Sequence, residues 1–156
     1  MQEATGQAGL MNIMLTIIGI IIILLAGSIA YSKAFRVKNR IIDIIEKHNE
    51  YNSDSKTEIE AELTNIGYRT MPNAKQADYC PSDKFKDAGF VKANLTPNHL
   101  YCVYVNKNDT EGTYYYKVLA FMYFDLPVIG NYIQIPVTGE TKILYTKNVE
   151  DWKTVH

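Results

Sequence analysis

Little in this sequence is suited to hold a metal, a phosphate or a nucleic acid. There are only two cysteines, Cys80 and Cys102, and three histidines, His48, His99 and His156, scattered along the chain. No CxxC and no HExxH occurs, so the usual zinc ligand sets are missing. No GxSxG occurs, and no glycine-rich loop follows a strand and opens a helix, which removes the nucleophile elbow and the phosphate cradle. The net charge is −1, so no basic excess draws in a nucleic acid over distance. No stretch interleaves aromatics with enough Lys or Arg to stack a single strand. We therefore expect no cofactor, no small-molecule ligand for catalysis, no nucleic-acid partner and no enzymatic activity. His99, near Tyr101 and Cys102, reads as a strand-start histidine with no base or nucleophile assembled around it. Glu58, Glu60 and Glu62 read as the solvated face of a helix.

Charge is also missing from Ile13 to Tyr31, a nearly unbroken apolar run. A bilayer core about 30 Å thick needs roughly 20 apolar residues as helix. In lipid the backbone must satisfy its own hydrogen bonds, which a helix does. A cleaved signal peptide would carry a basic leader and a shorter apolar core of roughly 7–15 residues. Here only Glu3 is charged before the run. The expectation is a retained single-pass anchor in a membrane. Its small residues Gly19, Ala26, Gly27 and Ala30 would allow another helix to approach closely.

Beyond Tyr31 the chain turns amphipathic. Ala34, Val37, Ile41, Ile44 or Ile45, and His48 recur at three- and four-residue steps, the spacing of one helix face. No Gly or Pro intervenes between Ser28 and Asn49. One continuous helix from about Asn12 to about His48 is predicted, roughly 55 Å long at 1.5 Å per residue. The residues before it are expected to fray or to lie at a membrane face. The seam Val37, Ile41, Ile44 and Ile45 needs a cover, and a sheet is the obvious one. The division is residues 1–48 as anchor helix with its amphipathic extension, and residues 49–156 as one small α+β domain.

Within that domain, Ser55 or Asp54 could cap a second helix, with Ile59, Leu63 and Ile66 as its seam and Gly67 as its stop. A long irregular stretch with Pro72 and Pro81 comes next, and such loops are uncommon unless pinned. Cys80 lies in it. Cys80 and Cys102 are either a disulfide or two separate buried thiols. A bridge would close a loop of about 20 residues, stabilise the domain by roughly 3 kcal/mol and require an oxidising compartment.

The rest reads as an antiparallel meander of four strands, GFVKANL, HLYCVYVNK, GTYYYKVLAFMYFD and YIQIPVTGETKILYT, with NKNDTEG and LPVIGN as turns. The third strand is apolar on nearly both faces, as a strand covered on two sides should be. The fourth alternates cleanly, with Ile133, Ile135, Val137, Thr141, Ile143 and Tyr145 on one face. Pro136 favours an edge or a bulge. The tyrosines Tyr101, Tyr104, Tyr114, Tyr115, Tyr116 and Tyr123 read as cross-strand pairs rather than a binding face. Asn94-Leu95-Thr96 matches a glycosylation pattern, but Pro97 follows it, and the match carries no weight. Trp152 is the only large anchor in a polar tail.

Orientation is balanced on residues alone. Lys33, Arg36, Lys38 and Arg40 follow the apolar run, and cytoplasmic flanks usually carry such an excess. A disulfide would suit the exterior, and the same cations could instead be the wet face of a helix.

The plan of an apolar helix, an amphipathic continuation and a small antiparallel sheet resembles the pilins and pseudopilins of type IV pili and type II secretion systems. FRVKNRIIDIIEKH and DLPVIGNYIQIPVTGETKILY look like the small Tad-type minor pilins of Gram-positive bacteria. The resemblance implies a membrane-anchored structural subunit of a surface appendage or secretion apparatus, with an extracytoplasmic head. Its implied partners are membrane lipid, other pilin-like subunits and pilus-assembly proteins. It also implies a cut after a glycine, for which Gly9 is the candidate. The fifth residue after Gly9 is Met14, where the family usually has Glu, and this departure fits a minor subunit. The alternative is a bitopic membrane protein whose outer domain binds a ligand or partner.

Overall fold

A computed structural model describes residues 2–71, 79–108, 110–124 and 133–145 of the chain. It is α+β: one long N-terminal helix laid on a small antiparallel sheet. The turn LPVIGN, the stretch 72–78 with Pro72, and the tail with Trp152 lie outside the described residues.

Helix α1 runs Gln2–His48 without a break, 47 residues. Its start lies well before Asn12, so the segment expected to fray is helical from Gln2. The physical reason is the absence of any strong breaker there, since Gly6 and Gly9 each cost a helix only about 1 kcal/mol. Its C-terminal end comes where the pattern ends, with Asn49 in the left-handed region at φ 55°, a conformation Asn tolerates.

Helix α2 spans Ser53–Ile66. Its cap is Asn52, not Ser55 or Asp54. The Asn52 side chain accepts from the Ser55 N–H at 2.9 Å, and Ser55 Oγ accepts from the Asn52 N–H at 2.8 Å. This is a reciprocal capping box with Ser in the third position. Gly67 stops α2 at φ 65°, which glycine adopts without strain. Ile59 and Leu63 are buried, and Ile66 packs partly against the core.

The strands are β1 Val91–Lys92, β2 Tyr101–Asn108, β3 Thr113–Phe124, β4 Ile133–Glu140 and β5 Leu144–Tyr145. Their order is β1-β2-β3-β4, all antiparallel, with β5 also on β3. Register pairs Tyr101 with Ala120, Val103 with Val118, and Val118 with Gly139. Opposed residues share a face, so these form the face toward α1, where Val37, Ile41, Ile44 and Ile45 are buried. Cys102, Tyr104, Lys117 and Leu119 form the other face. Segment 79–90 covers it: Phe85 stands edge-on to Tyr104 at 5.0 Å, and Phe90 to Tyr115 at 5.1 Å. Two covers explain why β3 is apolar on both sides.

The fourth strand is not continuous. Lys117 pairs with Glu140 and Tyr114 pairs with Leu144, so Thr141, Lys142 and Ile143 oppose only Tyr115 and Tyr116. The extra residue is a bulge. Thr141 holds it: its N–H donates to the Tyr116 carbonyl at 2.9 Å, and its hydroxyl accepts the Tyr116 N–H at 3.0 Å. One inserted residue flips everything after it. Leu144 is therefore buried, whereas Ile143 and Tyr145 are exposed, so the single face drawn from Ile133 to Tyr145 is corrected. Pro136 does sit on an edge strand.

Gly139 is where α1 and β4 touch. A Cβ there would meet Lys38 Cδ at 2.7 Å and Ile42 Cδ1 at 2.8 Å. Gly139→Val is expected to destabilise the head by about 2 kcal/mol through overpacking. Urea denaturation of the full chain in detergent micelles measures it; an unmoved midpoint would mean that β4 is not held against α1.

Candidate functional site

Three features outside the core have functional character: the bare half of α1, a set of clamps joining α1 to the head, and a buried polar cluster. Along the first half of α1 the large apolar side chains from Leu10 to Ile29 stand in the open, Leu24 67% and Ile29 71% exposed. No described part of the chain covers them. One helix near the N-terminus is thus long and apolar enough to cross a membrane, with a mean hydropathy of 2.8 in its most apolar window. Gly19, Ala26 and Ala30 lie along one side at seven- and four-residue steps, with Gly27 at its margin. A Cβ on Gly19 would meet nothing within 4 Å, so this side faces open space at Gly19, whereas Ala30 lies beside the head, near Gly67 and Tyr68. Gly9 is exposed and also sits inside the helix.

Beyond Tyr31 the helix is gripped. The acidic residues of α2 were expected to be a solvated face, and the structure corrects this. Glu58 holds Lys47 Nζ at 2.8 Å and His48 Nε2 at 2.8 Å. Glu62 holds Arg40 at 3.1 Å. Hydrogen bonds from Lys47 and His48 lower the Glu58 pKa. Lys33 Nζ donates to the Gly67 carbonyl at 2.9 Å, at the end of α2. Lys38 is buried along its stem, with its ammonium 4.1 Å from the centre of the Phe35 ring. At the far end Glu46 accepts the Lys142 N–H at 2.7 Å. Exposed pairs each contribute at most about 1 kcal/mol. Their value here is orientation, fixing α1 at a set rotation against α2 and the bulge. Of the basic run after the apolar stretch, Lys33 and Arg40 are therefore engaged by α2 and its end.

Glu60 departs furthest from expectation. Its side chain is 12% exposed, and that of His99 7%. His99 Nδ1 meets Glu60 Oε2 in a short contact. Glu60 Oε1 accepts the Asn98 N–H at 2.7 Å and the Tyr101 hydroxyl at 3.2 Å. The Tyr51 hydroxyl stands 3.1 Å from that of Tyr101 and completes the chain as donor. So His99 does gather partners, 39 residues away from Glu60 in sequence, where no periodicity could show them. Every donor aimed at Glu60 is used within the protein, and no nucleophile joins the cluster. Its chemistry is that of a buried fastener between α2 and the start of β2.

Burial pushes the Tyr51 hydroxyl up to about 12 and that of Tyr101 higher still. Tyr104, whose hydroxyl donates to the Pro81 carbonyl at 2.9 Å, is likewise raised to about 12 by burial. For an acid with a raised folded pKa, the stabilising contribution is whole below about 10, the ordinary tyrosine value, and is lost as pH climbs toward 12. Absorbance of these phenolates is expected only together with loss of tertiary circular dichroism, above about pH 11. Their appearance in a still-folded chain near pH 10 would contradict this burial.

Cys80 and Cys102 form a disulfide, with Cα atoms 5.6 Å apart. It ties segment 79–90 to β2. The Lys92 ammonium donates to the Cys80 carbonyl at 3.0 Å. Among the described residues no group of three His, Cys, Asp or Glu is placed to hold a metal ion. Among the described residues Tyr51, Tyr68, Tyr101, Tyr104 and Tyr116 are buried; Tyr51 meets Tyr116 edge-on, and Tyr114 meets Tyr116.

No family model, no curated protein and no solved structure matches this chain. Its geometry alone bears on its function.

Proposed function

We propose that the chain is a membrane-anchored, pilin-like structural subunit, and that its partners are membrane lipid and other subunits of the same kind. One observation carries this. A single 47-residue helix is bare and apolar through its first half, and its second half is locked onto a sheet. Such a rod can store its apolar half in a bilayer and later pack it against other helices, with no change in the head. Gly19, Ala26, Gly27 and Ala30 suit close helix approach.

The disulfide supports an extracytoplasmic head, because such bonds persist in oxidising compartments. The basic residues after Tyr31 argue little against it, since Lys33 and Arg40 bond to α2 and its end, and the Lys38 stem packs beside Gly139 of β4. Recovery of the protein in filaments sheared from the cell surface is the expected result. Confinement to washed membranes would overturn the appendage reading and leave the anchor.

A second reading rests on a groove of about 460 Å³ beside the short edge strand β1, walled by Glu50, Tyr51, Lys92, Lys107 and Tyr116. A bitopic receptor would bind its ligand there. Tight capture of a soluble partner unrelated to appendage assembly, by the domain lacking Met1–Tyr31, would favour it.

A further inference from the structure

Strand β3 runs antiparallel to α1 and nearly along it, and three contacts fix their relative heights. The Tyr114 hydroxyl donates to the Asn49 carbonyl, just past the end of α1. Gly139, paired with Val118 of β3, lies against Lys38 and Ile42. Phe121 borders one cavity with Ala30, Lys33 and Ala34, while its ring meets Tyr79 on the far face of the sheet. From Tyr114 to Phe121 a strand rises about 23 Å. From Asn49 to the middle of the Ala30–Ala34 turn, α1 rises about 25 Å. The two lengths agree, so strand and helix share one direction.

The sheet continues past this point. Beyond Phe121, β3 runs on to Phe124, which pairs with Ile133 at the start of β4. That adds roughly 10 Å of strand and brings the Phe124–Ile133 rung level with about Ala26 of α1. Ala26 lies inside the apolar run, roughly 7 Å short of its end at Tyr31. The run from Ile13 to Tyr31 is about as long as a bilayer core is thick. The end of the sheet therefore overlaps in height with the last turns of the anchor.

The chemistry of that end suits the overlap. Val118–Phe124 and Ile133–Gly139 hold no charged residue, whereas Lys107, Asp109 and Glu111 crowd the β2–β3 connection at the opposite end. Ile135 is 44% exposed, although its partner Met122 is buried. Tyr31 and Phe35 of α1, both exposed, stack close by with ring centres 6.2 Å apart, and aromatic residues prefer the membrane boundary. Pro136 bears on the open edge of β4. Opposite it, the Phe121 N–H and carbonyl are both bound to the Tyr68 hydroxyl, so they point toward β2 and the Pro136 nitrogen faces outward. A proline there leaves no unpaired donor to carry into lipid.

We propose that the uncharged end of the β3–β4 ladder rests in the lipid interface beside the anchor, giving the head a second contact with the bilayer. One helix alone leaves the head free to turn about its axis; two contacts fix its tilt. The inference rests on the membrane-anchor reading, and the experiment separates the two.

The full-length chain is reconstituted in phosphatidylcholine vesicles. Its two cysteines are bridged to each other, so a single introduced cysteine alone takes an environment-sensitive fluorophore. Ile135→Cys should give blue-shifted emission, quenched by lipid carrying a doxyl group near the head group. Thr138→Cys and Glu140→Cys, exposed positions further up the same strand, should keep aqueous emission. Ile20→Cys, in the middle of the bare helix, should be quenched by a doxyl group deep in the acyl chain. Aqueous emission from position 135 with deep quenching at position 20 overturns the second contact and leaves the anchor. Aqueous emission from both removes both. Blue emission at 135 that no doxyl lipid quenches means cover by protein and also overturns the contact. Pro136→Cys, the next exposed position, serves if Ile135→Cys fails to fold, with the same shallow quenching expected.

Discussion

Replacing Ile45 by alanine is expected to cost the folded head about 4 kcal/mol, within the range for an isoleucine lost from a tight core. Ile45 is fully buried, between Ile41 one turn before it and the face of β3 that carries Val118 and Ala120. The cavity cannot collapse easily. Its walls are a helix held by ion pairs at both ends and a sheet covered on its other face by a disulfide-bonded segment. Small domains are stable by only about 5–15 kcal/mol, so this one change removes a large part of the margin. Guanidinium denaturation of the full chain in micelles, followed by near-ultraviolet dichroism, measures it. The helical signal of the bare half should persist after the head melts, because lipid-like surroundings satisfy its apolar surface independently. A loss below about 1 kcal/mol would mean that the seam is only loosely covered by the sheet.

Glu60→Ala is expected to cost about as much, roughly 3–5 kcal/mol, for a different reason. Truncation removes no large apolar surface. It leaves the His99 ring, the Asn98 N–H and the Tyr101 hydroxyl without their acceptor in a nearly dry place. Stranding a buried polar partner is far worse than losing an exposed ion pair. Glu62→Ala is the internal comparison. Its pair with Arg40 lies half in solvent, so its loss should stay under about 1 kcal/mol. Glu60→Gln keeps an acceptor for Asn98 and should fall between the two. Equal melting shifts for Glu60→Ala and Glu62→Ala would show that the cluster is no fastener.

Much of this architecture was legible along the chain because it rests on local or periodic signals. The apolar run from Ile13 to Tyr31 needs only length and the bilayer's thickness. The seam at Val37, Ile41, Ile44 and Ile45 follows from helical spacing, and all four are buried. Gly67 as the stop of α2 follows from the left-handed conformation it takes. The first turn of α2 was less clear. Asn52, Ser53, Asp54 and Ser55 can all cap a helix, and the choice of Asn52 fell to the reciprocal bonds with Ser55.

Composition, periodicity and turn residues alone determined the two-part rod, the two helices and the order of an antiparallel meander, because each depends on neighbours within a few residues. Tertiary structure decided the rest: which of three similar glutamates on α2 goes inside, and where β4 slips by one residue at Thr141. Those outcomes depend on pairings between distant segments. Their energies exist only once the sheet has brought the partners within hydrogen-bond reach.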